Sequence, residues 1–367
     1  MGLVQQDRIG IARAWMREQG ADALVVRRVA NFAWLSGGGR SFIGVNVDLG
    51  AAAVVVTADR VVVVSSNIEG QRLQEEELCG LGWEMVTFPW WQDGMDECLR
   101  GLIPAGRTLS DVPFHGSTDA ASGLASLRVQ LSQDDERRAI ELGADTACAL
   151  EAAVRSIRPG QSEFEIAGAL AQQCLRRGIE PIVHLVAADD RIYTRRHPLP
   201  TTNTVARYAM VVVCGMRGGL VISATRLWHH GAPPDDLVHR WQAAALVDAE
   251  MIAASRPGTT GAAIFAVAKA AYARSGFPLE WQQHHQGGAA GYQSREWRTT
   301  DTATEVIRSG QIMAWNPSVA GAKSEDTILV GDGRSLPRII TQTGDWPLRP
   351  FETTAGTVLR PEILIAP

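Results

Sequence analysis

Side chains suited to hydrolytic or binding chemistry are concentrated in the segment from Glu280 to Val330. Among glycines and apolar residues, this segment contains His284, His285, Arg295, Glu296, Trp315, Asn316 and Glu325. A solvated surface would not need the glycines, and an ordinary core would not hold so many polar groups. We interpret the segment as a polar pocket in the middle of a curved sheet. The alternative is a structural core whose polar groups are all satisfied.

Imidazole is the group best suited to proton transfer, because it titrates near neutral pH and can act first as base and then as acid. His285 is one candidate for this role. His284 is expected to face outward or to be structural, since adjacent side chains on a strand point to opposite faces. A structural role is the alternative for His285 as well.

Arg295 and Glu325 are the charged candidates. A guanidinium suits a carboxylate ligand, and a buried one must find a partner, so a salt bridge from Arg295 to Glu296 is the alternative. We expect Glu325 to anchor a cationic group or to orient water. Asn316 offers both a donor and an acceptor, and Trp315 suits an aromatic-lined pocket. With Glu296, these residues are the substrate-binding candidates of the segment.

Length and composition favour an ordinary two-domain protein. The chain has 367 residues and is 46% hydrophobic, which is typical of soluble globular proteins of two domains. A net charge of -5 argues against nucleic acid or an anionic membrane as the main partner. The five cysteines contain no C-x-x-C pair and are expected to be reduced thiols. With no recognisable signal peptide or membrane span, we expect a cytoplasmic protein.

The first part of the chain, residues 1–132, has the pattern of a small α/β domain. A helix is predicted from Arg8 to Gln19 and a buried strand from Ala23 to Val26. The Val-rich runs 51–57 and 61–65 are separated by Ala-Asp-Arg and are predicted to form a hairpin.

The second part, residues 133–367, contains an internal duplication. A helix beginning after Ser132 ends at Arg158-Pro159-Gly160, and Ser162 with Glu165 forms a capping box for the next helix. The same order recurs at Arg256-Pro257-Gly258, and in both copies the same number of residues separates this glycine from the glycine ending the second helix. Two such units are expected to cover one shared, mostly antiparallel sheet, with a pocket where the halves meet.

These motifs resemble those of the creatinase, prolidase, Xaa-Pro aminopeptidase and methionine aminopeptidase family. Asn31-Phe32-Ala33-Trp34-Leu35-Ser36-Gly37 is similar to a motif of the creatinase-type N-terminal domain. The later landmarks are His197-Pro198, Thr225-Arg226 and Ser324-Glu325-Asp326-Thr327. The resemblance implies an α+β protein with a C-terminal pita-bread domain of duplicated αβ halves, preceded by a smaller α/β creatinase-type N-terminal domain.

The resemblance also implies where metal ligands would stand, and here the chain departs from the family. The peptidases hold two metal ions with two aspartates, a histidine and two glutamates. The matching positions carry Val213 (or Cys214 if the register slips), Ser223, Gly288, Asn316 and Glu325. One carboxylate beside an amide and a hydroxyl cannot hold a hard divalent ion tightly. We therefore expect no metal and no other cofactor, although a rebuilt metal site using a histidine with Cys214 and Glu325 stays open.

Creatinase suggests how such a site works without metal. His197 matches the creatinase histidine that serves as base and acid, although a surface histidine is the alternative for it. Arg295 stands where creatinase has its carboxylate-binding arginine. In dimers of this type the N-terminal domain lends residues to the other subunit's pocket, and Arg40 is expected to serve in that way; a flexible exposed loop is the alternative for it.

We therefore expect a metal-independent, homodimeric hydrolase that cleaves a C–N bond of a small amino-acid-like compound bearing a carboxylate. Two alternatives stay open. One is an Xaa-Pro aminopeptidase-like metallopeptidase with rearranged ligands, and the other is a catalytically inactive ligand-binding protein.

Overall fold

The computed structural model describes residues 2–367, with side chains from residue 8 onward. The chain divides into two compact units. The first ends at Val129 and includes the short segment Gly218–Leu220, and the second comprises Gln130–Arg217 and Val221–Pro367.

The elements before Gln130 alternate between helix and strand. In chain order they are α1 (Gly2–Glu18), β1 (Ala23–Arg28), α2 (Val29–Ser36), β2 (Leu49–Thr57), β3 (Val61–Ser66), α3 (Gly70–Arg72), the π-helical segment Leu73–Glu77, β4 (Glu84–Phe88), α4 (Met95–Leu102), β5 (Thr108–Ser110), β6 (Thr118–Asp119) and α5 (Ala121–Arg128).

The strands of the first unit form one six-stranded sheet in the order β4-β3-β2-β1-β5-β6. Strands β2 and β3 pair antiparallel, which confirms the predicted hairpin. Val25, Val55 and Val64 are almost completely buried in the core beside this sheet, where β-branched side chains pack well. Helix α2 ends at Gly37, whose φ of 75° is the left-handed conformation that favours glycine.

The elements of the second unit repeat helices followed by strands. They are α6 (Gln133–Arg155), α7 (Glu163–Leu175), β7 (Glu180–Ala188), α8 (Arg191–Thr194), β8 (Tyr208–Arg217), β9 (Leu220–His230), α9 (Asp235–Ala254), α10 (Gly261–Arg274), the 3-10 turn Glu280–Gln282, β10 (Gly287–Ala290), β11 (Trp297–Arg298), β12 (Ile312–Trp315), β13 (Ser318–Val319), β14 (Ala322–Lys323), β15 (Asp326–Leu329), β16 (Arg338–Ile339), β17 (Leu348–Thr353), β18 (Gly356–Pro361) and β19 (Leu364–Ala366).

The predicted duplication is present in the helix pairs and their connections. Ser162 caps α7 through the predicted capping box with Glu165, and Thr260 caps α10 at the equivalent place. Each cap residue also forms an isolated antiparallel bridge, Ser162 to Thr204 and Thr260 to Val306. In both halves, the chain therefore enters the second helix in the same way, with a side-chain N-cap and an isolated antiparallel bridge.

The strands form two main sheets rather than the single shared sheet that the sequence suggested. The first half contributes to β19-β9-β8-β7, and the second forms β11-β10-β12-β15-β16. Strand β9 meets the second sheet through a few bonds, including Val221 N to Gly291 O at 2.8 Å. At the centre of the seam, Thr327 Oγ1 accepts from Ser223 N and donates to Ser223 O, both at 2.9 Å. At this point of the seam, a side chain thus takes the place of part of the backbone ladder.

A buried ionic network holds β9 against β15. The Arg226 guanidinium binds Asp326 at 3.0 Å and Glu151 at 3.2 Å, and Arg360 binds Asp326 at 2.7 Å. Arg226 therefore supports the fold. Among the described helices, none combines the length and apolar character needed to cross a membrane.

Candidate functional site

Two of the predicted histidines are in contact, with their rings arranged edge to face. His197, in the loop after α8, and His284, between the 3-10 turn and β10, approach with their Nε2 atoms 3.0 Å apart. The Arg196–Glu280 ion pair ties these two segments together, and Arg196 Nη1 also donates to Ser318 Oγ at 3.1 Å. The neighbours of both histidines therefore fix their approach.

His285 joins the same cluster. Its ring centroid lies 5.8 Å from that of His197 and 4.6 Å from that of His284. The sequence predicts that His284 faces outward or is structural; the outward orientation is wrong, because His284 is only 8% exposed and contacts His197. The prediction assumed a strand, but β10 begins only at Gly287. An irregular backbone before β10 lets adjacent side chains turn toward one another.

All three imidazoles are held in the neutral form. Burial, followed by the charge of Lys323, lowers the pKa of His197, while Glu325 opposes this effect. Burial and Lys323 hold the pKa of His284 well below its usual range. Burial, with Arg295 and Arg298, lowers the pKa of His285 to about 3. At neutral pH the cluster therefore offers unprotonated ring nitrogens.

Glu325 is the anionic centre beside these histidines. Its side chain is 2% exposed and accepts from Lys323 Nζ at 2.8 Å, Arg295 Nη2 at 3.2 Å and Thr225 Oγ1 at 2.7 Å. Burial raises the pKa of Glu325, but Lys323 and Arg295 outweigh burial, so its net pKa lies below the usual value. The carboxylate is ionised and fully engaged with these groups.

Arg295 reaches Glu325 through Nη2 at 3.2 Å. Its Nη1 also lies 3.4 Å from Ser223 Oγ. Glu296, half-buried in the segment before β11, donates its backbone N–H to Ala289 O at 2.7 Å. Sequence reasoning missed Lys323 in this group. The available signal was a lysine two residues before a glutamate in a segment otherwise expected to be buried.

The positions implied by the resemblance for a two-metal centre do not fit metal ions. Cys214 Sγ lies 3.2 Å from Ser223 Oγ, so Cys214 rather than Val213 takes the first aspartate's place. At Gly288, where the family has its histidine, a Cβ atom would lie 1.8 Å from Trp297 O. Glu325 already neutralises two cationic side chains. Four of the five positions carry neither a carboxylate nor an imidazole. The carboxylate at the fifth position, Glu325, is already bound by the Lys323 ammonium and the Arg295 guanidinium.

The remaining predicted residues fall in different surroundings. Trp315 is fully buried and donates its indole N–H to Ser255 Oγ at 2.9 Å, so the expectation of a substrate contact is corrected to a core role. Arg40 in the first unit binds Glu77 at 2.8 Å. Its contribution to a second subunit stays a prediction. Asn316 is 2% exposed and directly follows β12.

Three of the predicted site residues carry a buried polar atom without a hydrogen-bond partner in the described part of the chain. These atoms are His285 Nδ1, Arg295 Nε and Asn316 Oδ1. Strand β12 lies between β10 and β15, with Trp315 opposite Gly287 on one side and Asp326 on the other. Asn316, which directly follows β12, therefore lies between the segment that carries His285 and the segment that carries Glu325. A buried polar atom without a partner costs about 1–3 kcal/mol, which favours a bound ligand that supplies the missing bonds.

Family models cover both parts of the chain. The model for metallopeptidase family M24 matches residues 137–332, which is more than half of the chain. The model for the creatinase/prolidase N-terminal domain matches residues 8–133. No curated protein matches the chain as a close relative.

Solved structures agree with this assignment at low sequence identity. Prolidase from Pyrococcus horikoshii OT3 has a TM-score of 0.79 and 17% identity, covering 92% of this chain and 98% of its own. Xaa-Pro dipeptidase from Bacillus anthracis gives 0.77 and 17%, covering 99% and 100%. X-Pro aminopeptidase from Thermotoga maritima MSB8 gives 0.78 and 14%, covering 98% and 99%. At these identities the likeness establishes the fold: a creatinase-type N-terminal domain followed by a pita-bread domain.

Proposed function

This chain belongs to metallopeptidase family M24, and we propose that it hydrolyses a C–N bond of a small peptide-like compound that carries a carboxylate. The comparisons favour the Xaa-Pro aminopeptidase-like alternative over the creatinase-like hydrolysis expected first, because the matched structures are described as prolidase, Xaa-Pro dipeptidase and X-Pro aminopeptidase. In this proposal the site is rearranged, since the histidine cluster replaces the carboxylate-rich centre.

The observation that carries the proposal is the set of three unpartnered polar atoms in the site. Arg295 Nε is a donor, Asn316 Oδ1 is an acceptor, and His285 Nδ1 takes either role according to its tautomer. A peptide-like ligand has matching groups: a carboxylate for the guanidinium, and an amide or ammonium N–H for the asparagine oxygen. A purely apolar ligand would leave all three atoms unsatisfied.

His197 is the group that we assign to water activation. It is half-exposed, whereas His284 is buried, so water reaches His197 from the open side. Its neutral imidazole can accept a proton, and the contact with His284 Nε2 fixes the ring. Glu325 holds Arg295 in position to receive the substrate carboxylate.

A panel of dipeptides tests this assignment. Ala-Pro and Ala-Leu, each as the free acid and as the C-terminal amide, are incubated with the full chain, and the released amino acid is measured. We expect the free acids to be hydrolysed with at least tenfold higher kcat/KM than the amides. Arg295→Gln should remove this preference, whereas Arg308→Gln, at an exposed position, should keep it. His197→Ala should abolish turnover in a protein that still folds. Normal turnover by His197→Ala would contradict the role given to this residue.

The second candidate function is a binding protein without turnover. It is favoured by the engagement of Glu325 with Lys323 and Arg295, which leaves no free carboxylate at the family's metal positions. Calorimetry followed by mass spectrometry separates the two functions. Binding of the free-acid dipeptides without any product would support the binding protein and contradict the hydrolase.

A further inference from the structure

We propose that His197, His284 and His285 form a binding site for one divalent transition-metal ion, with Zn²⁺ the best-suited metal. The site is distinct from the positions that the family uses, which carry Cys214, Ser223, Gly288, Asn316 and Glu325 here. The inference rests on the pocket of the proposed hydrolase: with an ion bound, His197 would act on water through that ion and not as a free base. Because metal binding does not require turnover, the two proposals can fail separately.

The spacing of the ring nitrogens is the first argument. One ligand atom from each histidine can be chosen so that all three lie within 4.8 Å of one another, and the Nε2 atoms of His197 and His284 are 3.0 Å apart. Around a tetrahedral zinc ion with Zn–N bonds of 2.0–2.1 Å, two nitrogen ligands stand about 3.3 Å apart. The Nε2 atoms of His197 and His284 are therefore already close to the spacing of two zinc ligands, and the ligand atom of His285 lies within 4.8 Å of both.

The bonds made by the other ring nitrogens are the second argument. If His284 coordinates through Nε2, its Nδ1 faces Ser318 Oγ at 3.5 Å, a place where a hydroxyl can orient the ring. Arg196 holds this hydroxyl from the other side at 3.1 Å. The buried Nδ1 of His285 has no hydrogen-bond partner among the described residues. A metal ion, or the rotation of the ring that coordination brings about, would remove that deficit.

Exposure is the third argument, because it distinguishes a catalytic type of metal site from a structural one. His284 is buried and His285 half-buried, while His197 borders solvent. Three protein ligands and one open position are the arrangement of catalytic zinc sites, in which the open position holds water of lowered pKa. The charged groups that act on these histidines besides Glu325 include Lys323, Arg295, Arg298 and Arg196, the last of which is paired with Glu280. This positive surrounding favours an anion, either hydroxide or a carboxylate, as the fourth ligand.

Metal titration of the chelator-treated full chain tests the proposal. Zn²⁺ binding is measured by calorimetry, and Co²⁺ binding by the visible absorption that tetrahedral cobalt acquires. We expect one ion per chain in the wild type and in the matched control His184→Gln, whose histidine is exposed on β7 outside the cluster. In His197→Gln and in His285→Gln the affinity should fall at least tenfold, and the Co²⁺ absorption should be lost. Because His197 is half-exposed, its variant is expected to keep the fold, which a thermal melt checks.

Two results would overturn the metal site. One is the absence of a binding heat and of cobalt absorption in the wild type, and the other is an affinity that falls less than tenfold in the double variant His197→Gln/His285→Gln. Stoichiometric binding without hydrolysis of any dipeptide would contradict the proposed hydrolase while supporting the metal site. Hydrolysis of a dipeptide by a protein that binds no metal would contradict the metal site while supporting the proposed hydrolase.

Discussion

Lys323 Nζ lies 2.8 Å from Glu325 Oε2, and the two side chains are only 4% and 2% exposed. Glu325 matches the one metal-binding carboxylate of the family that this chain keeps. Here its charge neutralises a lysine and an arginine instead. The chain thus carries its own cations at this position, and the acid serves to hold Arg295 and to keep Lys323 buried.

Removing the Lys323 charge should lower the free energy of unfolding. Lys323→Met leaves a buried carboxylate with Arg295 as its remaining ionic partner, and we expect the free energy of unfolding to fall by about 3 kcal/mol. Denaturant titration measures the loss. The control is Lys269→Met, whose ion pair with Asp301 is partly exposed and worth less than about 1 kcal/mol. Equal losses in the free energy of unfolding for the two substitutions would show that the buried pair contributes no more stability than the control pair.

The stabilising contribution of Glu325 should depend on pH in one direction. Its pKa in the folded chain lies below the usual value of 4.5. Ionisation therefore contributes stability that is present above pH 4.5 and is lost as the pH falls through the lower folded pKa. We expect Glu325→Gln to be much less stable than the wild type at pH 7 and the gap to narrow below pH 4.5.

Urea midpoints measured for both proteins from pH 7 downward test this dependence. Glu352→Gln, at a surface position on β17, provides the control. A gap between wild type and Glu325→Gln that stays constant over this range would contradict the depressed pKa.

Gly288 should not tolerate a side chain. A Cβ atom there would lie 1.8 Å from Trp297 O and 2.8 Å from Arg298 Cα, and backbone atoms of a paired strand cannot move aside as a flexible side chain can. Gly288→Ala is therefore expected to lose about 3 kcal/mol or to prevent folding. The matched control is Gly168→Ala in α7, where nothing lies within 4 Å of the new atom. We expect that substitution to be neutral or to stabilise by about 1 kcal/mol. Similar thermal melts for the two variants would contradict the contact.

Cys214 should be unreactive despite its place in the site. It is 8% exposed, and burial raises its thiol pKa, so the reactive thiolate is scarce at neutral pH. Alkylation with iodoacetamide at pH 7, followed by peptide mass spectrometry, should label the exposed Cys79 and leave Cys214 intact in the folded protein. Labelling of Cys214 as fast as Cys79 would contradict the low reactivity expected from its burial.

Much of the fold could be read from the chain because its signals are local. The Val-rich runs that form β2 and β3, the Ser162–Glu165 capping box and the repeated Arg-Pro-Gly breaks each depend on residues close together in sequence. The departure from the family's metal ligands is equally visible in single positions such as Ser223, Gly288 and Asn316. Residue types alone show that the carboxylates are missing.

Only the tertiary structure decided which polar groups meet. His197 and His284 are far apart in sequence, and the irregular backbone before β10 brings their Nε2 atoms to 3.0 Å. Arg295 is paired with Glu325, because the seam between β9 and β15 places Glu325 beside it. Trp315 is a core residue and not a pocket residue, because its side chain lies on the face of β12 that reaches Ser255. Residue type determines what chemistry a side chain can do, but burial and strand register, which are set by long-range packing, determine with which partner it does so.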